Sequence, residues 1–392
     1  MSLRSRFALF LVPVLLLAVS GAARRALAGE AGPEVRLGFV ATFSGEGFRQ
    51  GRDALDAARF AVDAANAAGL PTVNGKPCQV TLIPADDKAS PEQAAQAVRD
   101  LVTQKKVMAI IGPYPSGLAN AAALAADAAG VPLIAPAATA AVVTAGRPHI
   151  FRISFTNAFQ GQVLGRLARK DLHLGTVAVI ANRDSLSSMS LATAFAKAFT
   201  ACGGRADMVG YADRDRNFSD LMSQVLAGKP DALFLPNDTQ ESVLLALAAR
   251  RQGFSGLLIG GDAWDGQAVS RLTAFNGAYF VDHWRESTPG TRSQAYVAAF
   301  KKARKRPPTE VGALTQDAVD VVLAAVTRAG SVDPEAVTKA LMDLPPHDGV
   351  TGTFDFVNDG NPFKSLYITR ITDGGTHLDS RVLTPPKECR PK

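Results

Sequence analysis

The chain has 392 residues, 47% of them hydrophobic and 20% charged, the composition of an ordinary globular protein with room for two domains. Its formal charge of +6 is an N-terminal excess. Arg4, Arg6, Arg24 and Arg25 lie in the first 28 residues, and without them 38 basic residues face 36 acidic ones. So small a surplus argues against a charge-driven nucleic-acid partner, and KKARKR at 301–306 reads as a solvated helix end.

The N-terminus reads as an export signal. Arg4 and Arg6 precede the apolar run Phe7 to Val19, too short for a comfortable membrane span, and Ala26-Leu27-Ala28 has the small-residue pattern of a cleavage site. An earlier cut near Ala22 or Ala23 also fits. No Cys follows either site, so a lipid anchor is not expected, and the product is expected to be exported and soluble. Cys78, Cys202 and Cys389 are an odd number for an oxidising compartment, which leaves at least one thiol unpaired within the chain. The five histidines are scattered with no metal-ligand spacing, so neither a metal nor a cofactor is expected.

From Glu34 onward strands and helices alternate. Strand 34–42 leads through a Gly-rich turn into a helix over 52–68, where Ala54, Ala57, Phe60, Ala61 and Ala64 recur at helical spacing. Strand 78–84 ends at Asp86-Asp87, read as strand-end or capping residues. Ser90-Pro91 opens a helix to Thr103. The stretch 109–140 then reads as strand, Gly-Pro turn, helix, strand and small-residue loop. Its two strand ends deliver Ser116 and Thr139, and ligands in open parallel sheets bind outside such carboxyl ends. Residues 151–154 read as a crossover into a second unit of the same kind, with strands expected at 176–181, 206–211, 232–235, 256–259 and 277–281. Helices at 293–304, 311–329 and 334–343 follow, then a hairpin of 351–358 with 364–372. The alternation predicts parallel α/β sheets in two lobes with a cleft between them.

Two apparent motifs are weak. Gly45-x-Gly47-x-x-x-Gly51 suggests a dinucleotide loop, but Asp86 lies 39 residues past Gly47, whereas that motif places its acid about 20 residues on. Ser116 lacks the flanking glycines of a nucleophile elbow, and no His or Asp is placed to activate it, so no enzyme is expected.

The segments LGFVATFSG, ADDKASPEQAAQAVRDLV, IIGPYPSG, VPLIAPAATA, FRISFTNAFQG and GTFDFVNDGN resemble, in order and spacing, the periplasmic solute-binding proteins of branched-chain amino acid ABC transporters. These are the Leu/Ile/Val-binding, type I members of that group. The resemblance implies an α/β, two-lobed type I periplasmic-binding fold, each lobe a parallel sheet flanked by helices, joined by a three-crossover hinge. It implies a first lobe of 34–153 plus 284–350, and a second of 154–283 plus 351–385, with the ligand between them. Carried onto this sequence, it puts the ligand's carboxylate on Ser116, Ala137 and Thr139 and its amino group on Asp262. Tyr114, Leu186, Asp238 and Phe48 complete the expected lining. Leu186-Ser187 stands where the family usually has Tyr-Gly, and Asn237-Asp238 stands where a second aromatic often sits. The grip of the second lobe is therefore expected to differ, which widens the ligand to an amino acid, an amide or an aromatic carboxylate. Structural alternatives stay open: Ser116 and Asp262 as helix caps, Thr139 as loop packing, and Phe48, Phe155, Phe159 and Trp264 as core. The expected role is capture by a monomer and delivery to an inner-membrane ABC permease, or else presentation of the ligand to a membrane receptor or kinase.

Overall fold

The computed structural model describes residues 32–213, 215–356, 359–372 and 375–382. The expected export segment and Cys389 lie outside these residues.

The first unit runs β1 (Val35–Ala41), α1 (Phe48–Ala67), the small hairpin β2 (Thr72–Val73) and β3 (Lys76–Pro77), β4 (Val80–Asp86), α2 (Pro91–Thr103), β5 (Ala109–Ile111), α3 (Ser116–Ala128), β6 (Leu133–Ala135) and β7 (Ile150–Arg152). Its sheet has the order β4-β1-β5-β6-β7 with every pairing parallel. Both faces are covered, which is why these strands are almost wholly apolar. In β1, Val35, Leu37, Phe39 and Ala41 point to one core and Val40 to the other, the period of two that a strand imposes.

The second unit runs α4 (Asn157–Arg166) with a π-helical turn at Leu167–Asp171, β8 (Thr176–Asn182), α5 (Leu186–Ala201), β9 (Arg205–Tyr211), α6 (Ser219–Ala227), β10 (Ala232–Leu235), α7 (Thr239–Arg251), β11 (Leu257–Gly260), α8 (Gly266–Val269) and β12 (Tyr279–Asp282). The chain then returns to the first unit. It forms α9 (Thr291–Arg304), α10 (Glu310–Ala329) and α11 (Pro334–Met342); Leu314, Ala318 and Val322 of α10 and Leu341 of α11 join the core of Leu37 and Phe39, while Tyr296, Val297 and Phe300 of α9 pack with Ala57 of α1.

The expected hairpin of 351–358 with 364–372 does not form. Instead β14 (Gly352–Phe356) pairs with β13 (His347–Gly349) and β15 (Pro362–Phe363). The later segment, β16 (Leu366–Thr372), pairs antiparallel with β12 and with β17 (Gly375–Val382), giving a second sheet of order β17-β16-β12-β11-β10-β8-β9. Apolar packing decides the difference. Phe354 is buried in the first core, and the rings of Phe356 and Phe151 meet edge-on at 5.2 Å. Strand β14 therefore packs with the core of the first sheet.

Three segments cross between the sheets, after β7, after β12 and before β16. The buried Lys364 lies on the third. Its Nζ donates to the Ile153 carbonyl on the first crossing, at 3.2 Å, and to the Thr351 hydroxyl. Burial lowers its pKa to about 8. Asp317 of α10 accepts from the backbone N–H groups of Val350 and Thr351 at 2.6 and 2.9 Å, which fastens the approach to β14.

Candidate functional site

Strand β5 ends in a turn that only glycine can make. Gly112 has φ +92°, and a Cβ there would lie 2.1 Å from the Val40 carbonyl oxygen. The turn lifts Pro115 into the cap position of α3, so Ser116 becomes the first helical residue and not the cap. The leading N–H groups of a helix lack intrahelical partners and, with the helix dipole, favour an anion. Ser116 is buried, and its Oγ accepts from the Ala140 N–H at 3.2 Å, tying the helix start to the loop after β6.

That loop carries Ala137, which is partly buried, and Thr139, which is buried. A fully buried Arg152 holds it in shape. The guanidinium donates to the carbonyls of Ala138 and Ala140 at 2.7 and 2.9 Å and to the Thr144 hydroxyl at 3.0 Å, and burial lowers its pKa to about 10. Ser154 adds a bond to the Ala138 carbonyl at 3.0 Å. At the end of the neighbouring strand β4, Asp86 accepts from Phe43 N–H and the Ser44 hydroxyl at 2.8 and 2.6 Å, and Asp87 from the Thr42 hydroxyl at 2.7 Å. Both are strand-end fasteners.

The second sheet meets this surface through the start of α5. The hydroxyl oxygens of Thr139 and Ser187 lie 3.2 Å apart. Asn157 Nδ2 donates to the Ser187 carbonyl at 3.2 Å, and its backbone N–H donates to the Thr139 carbonyl at 2.9 Å. Gln160 Nε2 then donates to Asn157 Oδ1 and to Asp262 Oδ1, each at 2.7 Å. Asp262 Oδ2 lies 3.1 Å from His283 Nε2. A continuous polar chain therefore runs from Thr139 to Asp262 and on to His283. The His283 ring stacks on Phe155 with centroids 3.7 Å apart, and burial holds its pKa below the ordinary value. The Glu310 carboxylate accepts from the backbone N–H groups of His283 and Trp284.

Ser116, Ala137 and Thr139 are thus brought together on one loop–helix surface, with Asp262 joined to them through Ser187, Asn157 and Gln160. Asp262 caps no helix; Asp265 does that for α8. The other expected lining residues are more dispersed. Tyr114 is buried, with its hydroxyl bonded to that of Thr315 on α10. Leu186 is the exposed first residue of α5, and Asp238 is the exposed cap of α7, accepting from the Glu241 N–H at 2.8 Å. Phe48 is exposed at the start of α1, with the guanidinium groups of Arg49 and Arg52 at 5.9 and 5.5 Å from its ring. Phe155 and Trp264 are core residues; Trp264 packs edge-on against Phe275. Among the described residues, only Asp317, Asp320 and His347 bring three metal-type donor atoms within 4.8 Å of one another. Both Asp317 oxygens there already accept backbone N–H groups, and Arg292 pairs with Asp320 at 2.6 Å.

One parallel sheet, a second that is parallel except for β16 and β17, three crossings and a polar surface at strand ends define the architecture; the family profile for periplasmic binding proteins matches residues 34–376. The chain belongs to the periplasmic binding protein family. A curated relative, Leu/Ile/Val-binding protein homolog 3 of Brucella melitensis, is 26% identical over 88% of this chain and 94% of its own length. A leucine-binding protein from Thermotoga maritima superposes with a TM-score of 0.82 at 27% identity, covering 89% of this chain and 98% of the other. A solute-binding protein of an ABC transporter from R. palustris, solved with benzoate, shares the fold at a TM-score of 0.79, with 21% identity and 92% and 99% coverage. In this periplasmic binding protein, Asn157, Gln160, His283 and Arg152 belong to the candidate site region but are not singled out from sequence, where Ser187 figures only in the Leu186-Ser187 departure from the family pattern. Asn157, Gln160 and Arg152 fall within the family-like segment FRISFTNAFQG, which was the available signal.

Proposed function

We propose that this protein captures a small carboxylate-bearing solute between its lobes by hinge closure and delivers it to the permease of an ABC importer. The lobe division at the three crossings, action as a monomer, and location in the periplasm after removal of the N-terminal segment are parts of the same reading. The observation that carries it is the preformed surface of Ser116, Ala137 and Thr139, held by Arg152 and facing Ser187 and Asp262. Helix N–H groups and hydroxyls there supply the donors a carboxylate needs, in charge-assisted bonds stronger than neutral ones. Asp262 supplies an acceptor for an ammonium group. Two of its oxygen positions are already engaged by Gln160 and His283, and a carboxylate has capacity for more.

Leucine, the ligand named for the Thermotoga maritima protein, and benzoate, bound by the R. palustris one, both carry the expected head group. Amino acids, their amides and aromatic acids are therefore the classes to screen. Isothermal titration of the purified protein with such a panel, followed by Ser116→Ala and Thr139→Ala, tests the site. Each loss is expected to weaken binding by roughly ten- to a hundredfold, the worth of a charge-assisted hydrogen bond. Unchanged affinity in both variants refutes the assignment.

A further inference from the structure

We propose that His283 is a positioning residue for a ligand's amino group: its neutral ring aims the Asp262 carboxylate and leaves it the negative charge that attracts an ammonium, whereas a protonated ring would take that charge for itself. The inference rests on the capture reading above and narrows it to amino-bearing carboxylates that are held less tightly in acid.

Asp262 follows β11, and two neutral donors hold its carboxylate. Gln160 Nε2 donates to Oδ1 at 2.7 Å. The orientation of that amide is fixed from its other end, where Gln160 Oε1 accepts from the Asp262 backbone N–H at 3.3 Å. The His283 ring faces the second oxygen, with Nε2 at 3.1 Å from Oδ2. An ionised carboxylate only accepts, so Nε2 carries the ring hydrogen and Nδ1 is bare. Nδ1 is buried and has no hydrogen-bond partner. A second proton placed there would be a buried N–H without an acceptor, and burial of the ring likewise disfavours its charged form. The ring is therefore neutral near pH 7, and it directs Asp262 without cancelling its charge. The His283 side chain is 2% exposed against 11% for Asp262, so the carboxylate and not the ring is what a ligand can touch.

The ring is also held against turning away. His283 lies on the second crossing, just after β12, and its backbone N–H donates to Glu310 at the start of α10. The ring itself stacks on Phe155 of the first crossing, with centroids 3.7 Å apart and 28° between the planes. Charged groups bear on it from each side. Asp262 acts from the end of β11 and favours the protonated ring, and Lys364 acts from the third crossing and opposes it. Glu310 stands on α10, and on the segment of His283 itself stands Asp282, bonded to Arg285 and to the Thr369 hydroxyl. Burial raises the pKa of both Asp282 and Glu310, and Asp262 lies close enough to act on each. Their ionisation as pH rises adds negative charge near Asp262, the same sign of effect on an ammonium as loss of the His283 proton. Replacing His283 separates the two.

The test is titration calorimetry on the mature protein from about pH 7.5 to about 5.5, across the ordinary histidine range. The ligands are matched pairs whose carboxylates stay largely ionised throughout: leucine against 4-methylpentanoate, and phenylalanine against 3-phenylpropanoate. The amino member of at least one pair is expected to bind about tenfold or more tightly at the upper pH. That ratio should shrink by about threefold or more at the lower pH, since an imidazolium and an ammonium compete for one carboxylate. In the acid half of the range, heats measured in two buffers of different ionisation enthalpy should show the amino member releasing protons as it binds, and its partner not doing so. His283→Gln carries a donor that does not titrate, so its ratio should be level across the range and its proton release lost. His283→Leu, without a donor, should give a smaller ratio than His283→Gln at the upper pH. Each variant is checked for an intact melting transition, and the wild-type pH profile and proton release need no variant. The inference falls if amino members bind no better than their partners, if the wild-type ratio is level with pH, or if its slope survives in His283→Gln. If Ser116→Ala weakens neither member of a pair while the ratio still depends on His283, the carboxylate reading is what fails. If no member of either pair binds, both fall.

Discussion

The hydroxyl oxygens of Thr139, on the loop after β6, and Ser187, at the start of α5, lie 3.2 Å apart and join the two sheets across the cleft. A neutral hydrogen bond of this kind contributes about 1 kcal/mol, enough to shift a two-state equilibrium roughly fivefold. Ser187→Ala is therefore expected to open the unliganded protein, seen as a larger radius of gyration by small-angle scattering. Scattering identical to wild type would show that this contact does not hold the lobes.

Arg152 offers a sharper test of how the surface of Ser116 and Thr139 is built. Replacing it with Met removes three donors from buried acceptors, Ala138 O, Ala140 O and Thr144 Oγ1. Bonds from a charged group are worth about 1.5–3 kcal/mol each before compensation, so a loss of about 3 kcal/mol in urea unfolding is expected, with a matching loss of ligand affinity. Full stability with lost affinity would mean that Arg152 acts on the ligand and not through the loop.

Most of the strand–helix order was readable from the apolar runs, because a sheet covered on both faces leaves an unbroken apolar signature such as Ala109–Ile111. The positions of Ser116 and Thr139 beyond strand ends were readable too, since each follows directly from an apolar run. The pairing of 351–372 was not: β14 and β16 look alike as alternating strands, and only the burial of Phe354 against the first core separates them. Tyr114 stands next to the site in sequence, yet its ring points to α10, an element 200 residues later that local pattern cannot supply. Asn157, Gln160 and His283 gain their roles only through contacts with distant residues.

Asp238 separates capping from binding. Asp238→Ala removes the cap of α7 and is expected to cost about 1 kcal/mol of stability in denaturant melts. Asp238→Asn keeps a capping oxygen and should restore most of that stability. If Asn fails to restore it, the carboxylate charge, not the cap, is what stabilises the fold there.

Acid should destabilise the protein partly through His283. Burial holds its pKa below the ordinary 6.5 of an unfolded histidine, so the unfolded chain takes up the proton first. This contribution to stability is whole above about pH 6.5 and is lost as pH falls below it toward the folded value. His283→Gln should flatten the fall of the unfolding midpoint between pH 6.5 and 5. An unchanged slope would assign the acid sensitivity to other groups.

The cysteines give a count. Cys202 is disulfide-bonded, and Cys78 is free and buried. With three cysteines in the chain, titration with a thiol reagent should find one thiol per molecule in denaturant without reductant, and almost none in the native protein. Three thiols before reduction would contradict the disulfide.

The Lys364 ammonium has one further consequence. It grips the Ile153 carbonyl on one crossing while riding on another, so two of the three straps between the lobes are stitched together at a single buried point. Straps joined in this way cannot slide or twist separately. For the proposed hinge closure, the expected motion is therefore a swing of fixed direction about one shared axis.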